Sequence, residues 1–134
     1  MPTLNWWAII IATVVNFLLG GVWYGAFGKA WLEALGKRKE DLNPKDPVPY
    51  ITAALGSFVN ATVLACAMSW IDPSQTWNLG HGIALGAVAA LGILGAANVK
   101  HYAFSGWPTK LFAIDFGVDL IGFILMGIIL VIWR

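Results

Sequence analysis

Long apolar stretches with short polar breaks set the pattern of this chain. They run from Trp6 to Phe27, Tyr50 to Trp70, Leu79 to Val99 and Leu111 to Trp133. Each holds about 20 residues, enough at about 1.5 Å per residue to cross a hydrocarbon core about 30 Å thick. The apolar residues occupy every side of these helices rather than one stripe, so a soluble bundle would lack the polar residues to cover them. The pattern predicts an all-α, polytopic membrane protein: one domain over residues 1–134, with four transmembrane helices in an up-down bundle.

The breaks agree with that reading. Gly28 to Pro49 is the one sizeable loop, punctuated by Asn43-Pro44 and Pro47-Val48-Pro49. Its first part, Lys29 to Leu35, can extend the first helix along the membrane surface with Trp31 among the headgroups. The second connection is a tight turn around Asp72-Pro73-Ser74, and the third runs from Lys100 to Thr109, with Pro108 just before the last helix. Trp6, Trp7, Trp70, Trp77 and Trp133 fall at one membrane boundary and Trp31 and Trp107 at the other, as amphipathic indoles prefer; Trp23 alone lies well inside a span.

Composition removes the competing classes. Apolar residues make up 59% of the chain and charged residues 11%, with a mean hydropathy of +0.74. A net charge of +1 makes nucleic acid an unsuitable partner. Lys29, Lys37, Arg38, Lys39 and Lys45 of loop one and Lys100 and Lys110 of loop three face Arg134 alone on the other side. The positive-inside rule then puts loop 28–49 in the cytoplasm and both termini outside. Basic residues follow the first apolar block rather than precede it, so it reads as a span and not as a leader. Cys66 is a lone thiol inside the second span.

Small residues recur every four positions in the third span, at Gly82, Gly86 and Ala90, with Gly92, Gly95 and Ala96 beyond. Such spacing lets backbones approach closely. It marks the third span as the central packing helix, through contacts within one chain or in a homo-oligomer.

The candidate chemistry lies in the polar residues of the spans. Asp115 and Asp119 stand one turn apart on one face of the fourth span, about 6 and about 12 Å deep if that span begins at Leu111. A lone carboxylate at such depth costs at least about 2.5 kcal/mol, so each needs a partner, a proton or a water-filled setting. Like charges one turn apart also disfavour joint ionisation, which suits a proton- or ion-binding site. Asn16 and Asn60 fall in the layer of Asp119. Tyr24 and Asn98 fall in that of Asp115, with Lys100, His101, Tyr102 and Lys110 at its mouth.

Two readings fit. In one, these residues line a cytoplasm-facing polar pocket around a proton or ion site. In the other, Asn16, Asn60 and Asp119 form a structural hydrogen-bond cluster, and Asp115 pairs with Lys110 or Lys100. No metal, haem, nucleophile or phosphate motif is present, and no cofactor is expected. His81 and His101 stand at opposite ends of the third span.

Several segments together resemble a known family: Asn5-Trp6, Gly20-Gly21, Trp23-Tyr24, Phe27-Gly28-Lys29-Ala30-Trp31, Pro108-Thr109-Lys110-Leu111, Ile114-Asp115 and Gly127. The family is that of the bacterial membrane proteins called "domain of unknown function 1761". The resemblance covers essentially the whole chain and implies four spans in a bacterial cytoplasmic membrane, with no established activity. It singles out Trp23, Tyr24, Lys29, Trp31 and Asp115, and leaves Asp119 outside its pattern. Three functions are consistent with all this: a small oligomeric transporter- or channel-like protein, an accessory subunit of a larger membrane complex, or a membrane-embedded lipid or quinone enzyme.

Overall fold

A computed structural model describes residues 3–134. All regular structure among these is helical: α1 (Trp6–Leu35), α2 (Val48–Ile71), α3 (Leu79–Phe104) and α4 (Thr109–Ile132) are each long and apolar enough to cross a membrane. A single 3₁₀ turn, Lys39–Asp41, interrupts the long loop.

Two helices outrun their apolar stretches for the same reason. No proline follows Phe27 or Val99 before the helix ends and Gly28 keeps a helical conformation, so each helix continues to a glycine in a left-handed conformation, Gly36 (φ 70°) and Gly106 (φ 68°). Around each, backbone amides turn back on the last carbonyls. Lys37 N–H donates to the Leu32 carbonyl at 3.1 Å and Trp107 N–H to that of Tyr102 at 3.0 Å, a Schellman-type stop. Lys100, His101 and Tyr102 therefore sit on α3 and not in the third loop, where the sequence pattern placed them.

The central helix is α4, not α3. Of its most apolar stretch 44% is buried, against 22% for α3. The cause is a set of glycines five residues apart that meet different neighbours. The Trp23 ring lies over Gly117, the Asn16 amide over Gly122, and the α3 backbone at Gly82 and Gly86 crosses Gly127. Gly82 and Gly86 thus make their close approach within the chain. A Cβ at Gly86 would collide with the Phe123 carbonyl, which no rotamer change relieves. Gly86→Val is expected to cost about 3 kcal/mol, read as a loss of unfolding free energy in lipid bicelles.

Between the close crossing at Gly82 and Gly86 and the far end of α3 lies a π-helical stretch, Ala90–Gly95. A π turn takes up one extra residue. In a regular α-helix at about 100° per residue, Tyr102 would lie about 120° round from buried Ala90; absorbing one residue brings it within about 20°. The buried series Gly82, Gly86, Ala90 and Gly95 records this as a step of five after steps of four. Gly95 then leaves room for the Phe116 ring.

The second helix divides into two halves. From Ser57 onward it buries Ser57, Ala61, Leu64, Ala65 and Met68 against the bundle, whereas none of residues 48–56 is buried. The bundle is therefore closed at the end that carries the chain termini and open beside α2 at the long-loop end.

At the termini end the turn after α2 is fastened by Asp72, which is buried. It accepts from Thr76 N–H at 3.0 Å, the Thr76 hydroxyl at 2.8 Å and Trp77 N–H at 2.8 Å, and forms an ion pair with the Arg134 guanidinium. Burial alone would push the Asp72 carboxyl up, but the Thr76 and Trp77 amides, the Thr76 hydroxyl and Arg134 outweigh it and hold the group well below the usual carboxylate range. A carboxyl depressed by folding stabilises fully above its unfolded value, and that stabilisation is lost as pH falls through the folded one. Asp72→Asn is expected to lower the thermal midpoint at neutral pH, with the difference from wild type vanishing in strong acid; a pH series of melting curves measures it.

Candidate functional site

Asp115 lies six residues into α4, about 9 Å from its long-loop end. Tyr24 and Trp31 stand two turns apart on one face of α1, where side chains lean back toward the helix N-terminus, so Trp31 reaches toward Tyr24. Their rings meet edge-on at 5.5 Å. The Tyr24 hydroxyl donates to Asp115 Oδ1 at 2.6 Å and the Trp31 indole N–H to the same oxygen at 3.0 Å. From α3, the Tyr102 hydroxyl donates to Asp115 Oδ2 at 2.6 Å.

A second indole sets the depth of the arrangement. Trp23 Nε1 donates to the Ile114 carbonyl at 3.0 Å, and its ring fills the space left by Gly117. On the other side Tyr102 packs edge-on against Phe112 at 5.5 Å, and Phe112 stacks on Phe116 at 5.3 Å. One carboxylate thus joins α1, α3 and α4 through neutral aromatic donors. Three donors and no acceptor are the complement of an ionised carboxylate, and O–H···O distances of 2.6 Å are those of charge-assisted bonds.

The other expected site residues fall into three groups. Asp119 is half-buried, one turn from Asp115, and makes no hydrogen bond among the described residues; its oxygens reach the molecular surface. Asn16 donates to the Ser57 hydroxyl at 2.8 Å, so the expected cluster of Asn16 with Asn60 and Asp119 does not form. Ser57 is a partner that the sequence pattern did not single out; its place on the apolar face of α2, opposite Asn16 in depth, is the signal that could have found it. Asn60 and Asn98 are half-buried and make no side-chain hydrogen bond among the described residues.

Lys100, His101 and Lys110 are exposed, and none pairs with Asp115. The ion pair expected there is replaced by phenols and an indole, because Tyr102 and not a lysine faces α4. Trp31, expected among the headgroups, turns inward to the carboxylate. A cavity of about 210 Å³ at the termini end, beside Asp72 and Arg134, contains none of the expected site residues.

Four helices long and apolar enough to span a membrane, three of them joined at one end through a carboxylate, define a small polytopic membrane protein. Residues 7–131 match the family described as "Protein of unknown function (DUF1761)", and the chain belongs to it. Of the positions that the family resemblance singles out, Tyr24 and Trp31 each donate to Asp115, and Trp23 donates to the adjoining Ile114 carbonyl. No curated protein and no solved structure matches the chain.

Proposed function

We propose that this protein is a small, oligomeric, transporter- or channel-like protein of a bacterial cytoplasmic membrane, with Asp115 and the adjacent Asp119 as its intramembrane proton or ion site. Asn16, Tyr24, Asn60 and Asn98 supply polar lining, and His101 and Lys110 stand at the cytoplasmic mouth. Both termini lie outside and loop 28–49 inside. One observation carries the reading: a carboxylate without a cationic partner joins two helices to a third. Protonation makes that carboxyl a donor, turns one phenol from donor to acceptor, and replaces charge-assisted bonds by neutral ones about half as strong. Proton uptake then loosens the hold of α4 on α1 and on the Tyr102 end of α3, which is how a bound proton biases a two-state bundle. Asp119, with its oxygens at the surface, is the group through which the proton or ion reaches Asp115.

A second reading, an accessory subunit of a larger membrane complex, is favoured by α1, where a Cβ added at Gly21 or Gly25 would meet no neighbouring helix within 4 Å. Infrared difference spectroscopy of the protein in lipid, from about pH 4 to about pH 9, with Asp115→Asn and Asp119→Asn for assignment, separates the two. A carboxyl band that titrates in this range and disappears in one variant supports the proton site. If neither residue titrates, the accessory-subunit reading takes its place.

A further inference from the structure

Asn60 sits midway along α2 (Val48–Ile71, 24 residues), about 18 Å from either end. Its amide makes no hydrogen bond among the described residues, and its atoms reach the surface. Apart from Asp119, which belongs to the carboxylate site, and Ser69, close to the end of α2, the short polar side chains elsewhere along the spans are provided for or lie near an interface. Asn16 and Ser57 bond each other, and Thr13, Thr52 and Thr62 bond the carbonyl four residues back. Asn98 lies about 9 Å from the long-loop end of α3, within reach of the interface. Asn60 has no interface within reach, and hydrocarbon offers an amide neither donor nor acceptor.

The surface around Asn60 is shaped for another helix. A Cβ added at Gly56, one turn toward the long loop, would meet nothing within 4 Å. Ala53, Val63 and Ala67 continue the seam at the alternating three- and four-residue spacing of packed helices. Gly82 and Gly86 of α3 are already covered by α4, so the close-packing positions of the third span are not free for a partner. An amide carries both donor and acceptor and is its own complement. Two copies inserted in the same direction are related by an axis along the membrane normal, which keeps every residue at its own depth, so the group that faces Asn60 is a second Asn60.

We propose that a second copy of this chain docks on the α2 face carrying Asn60, the two Asn60 amides bonding each other across a two-fold axis normal to the membrane. This rests on the oligomeric part of the reading above and not on its carboxylate. The test uses the full chain, with Cys66→Ala, in phosphatidylethanolamine–phosphatidylglycerol vesicles. Under mild oxidation Asn60→Cys and Gly56→Cys form disulfide-linked dimers, while Thr62→Cys, about 200° round α2 from Asn60, remains monomeric. Without added cysteines, fluorescence transfer between labelled copies falls at least about tenfold in association constant for Asn60→Val, equal to about 1.4 kcal/mol, and is retained in Asn60→Gln. Asp115→Asn leaves dimerisation unchanged, which keeps this result separate from any failure of the carboxylate site. A helical Gly56→Cys protein, which keeps the Asn60 amide, that yields no dimer, or an Asn60→Val protein that associates as wild type does, overturns the proposal.

Discussion

Asp115→Ala is expected to destabilise the bundle by about 3 kcal/mol, because it orphans three donors at once and each interhelical bond is worth about 1 kcal/mol in a membrane. Asp115→Asn is expected to stay within about 1 kcal/mol of wild type. Its amide oxygen can accept from Tyr24 and Trp31, and its NH₂ can donate to the Tyr102 oxygen, so the three contacts survive while the charge does not. Tyr24→Phe and Tyr102→Phe each remove one bond and should cost about 1 kcal/mol. In the Asp115→Ala background either change should cost almost nothing, since the bond is already gone. Unfolding free energies measured by steric trapping in bicelles give all of these values. A full loss in Tyr102→Phe on top of Asp115→Ala would show that the phenol acts through packing against Phe112 and not through the carboxylate. The Asn variant serves a separate purpose: stable but unable to ionise at this position, it tests transport without confounding by misfolding.

The parts of this arrangement that sequence made legible are those set by solvent. An all-round apolar helix has one stable environment, so the four long apolar helices follow from the pattern alone. Residue counting also places Tyr24 in the layer of Asp115. What it lacks is rotation. Depth along a helix follows from residue counting, whereas the side of the helix follows from packing, and the two disagree wherever the helix departs from α geometry. The π-helical stretch at Ala90–Gly95 is such a departure. It turns Tyr102 toward α4, and nothing in a run of Ala, Leu, Gly and Ile announces it. Reading Lys100 to Thr109 as a loop leaves the same tyrosine at the mouth of the Asp115 layer and not against the carboxylate, because Gly106 and Pro108 are visible as punctuation while the helix in front of them is not.

Charge misled in the opposite direction. Lys100 and Lys110 are near Asp115 in sequence depth, and pairing opposite charges is the simplest way to satisfy a carboxylate. Their side chains are exposed, however, where water and headgroups solvate an ammonium far better than a helix interface does. Aromatic donors hydrogen-bond the carboxylate without bringing a second ion out of water, so the interior position goes to Tyr24, Trp31 and Tyr102. The same logic separates the termini end, where Arg134 lies at the rim of the bundle and an ion pair with Asp72 does form. The third span was misjudged as central because its glycines are closer together than those of α4. Spacing of four serves a single neighbour, while the five-residue spacing of Gly117, Gly122 and Gly127 walks around the helix and serves several.

Deleting Ile93 is expected to leave the fold and the carboxylate site intact, although it removes a residue from the middle of a transmembrane helix. Ile93 is 69% exposed and lies inside the π-helical stretch, which holds one residue more than an α-helix of the same register. Without it Ala90 and Gly95 stand four apart, Tyr102 stays within about 20° of Ala90, and a regular α-helix can serve both ends. The expected change in unfolding free energy is within about 1 kcal/mol, the scale of a change at a non-packing position. Deleting Ala84, equally lipid-facing, acts on a stretch with no residue to spare. It turns Gly82 about 100° relative to Gly86, so that one of them leaves the crossing with Gly127 and a side chain is driven against backbone; a loss above about 3 kcal/mol is expected. The comparison isolates the wide turn, because both deletions shorten α3 equally and both remove side chains that touch lipid. Paired unfolding measurements, with the Tyr102→Phe increment repeated in each background, decide it: the increment should persist at about 1 kcal/mol after loss of Ile93. Equal damage from the two deletions would mean that the π-helical stretch does not set the rotation of Tyr102.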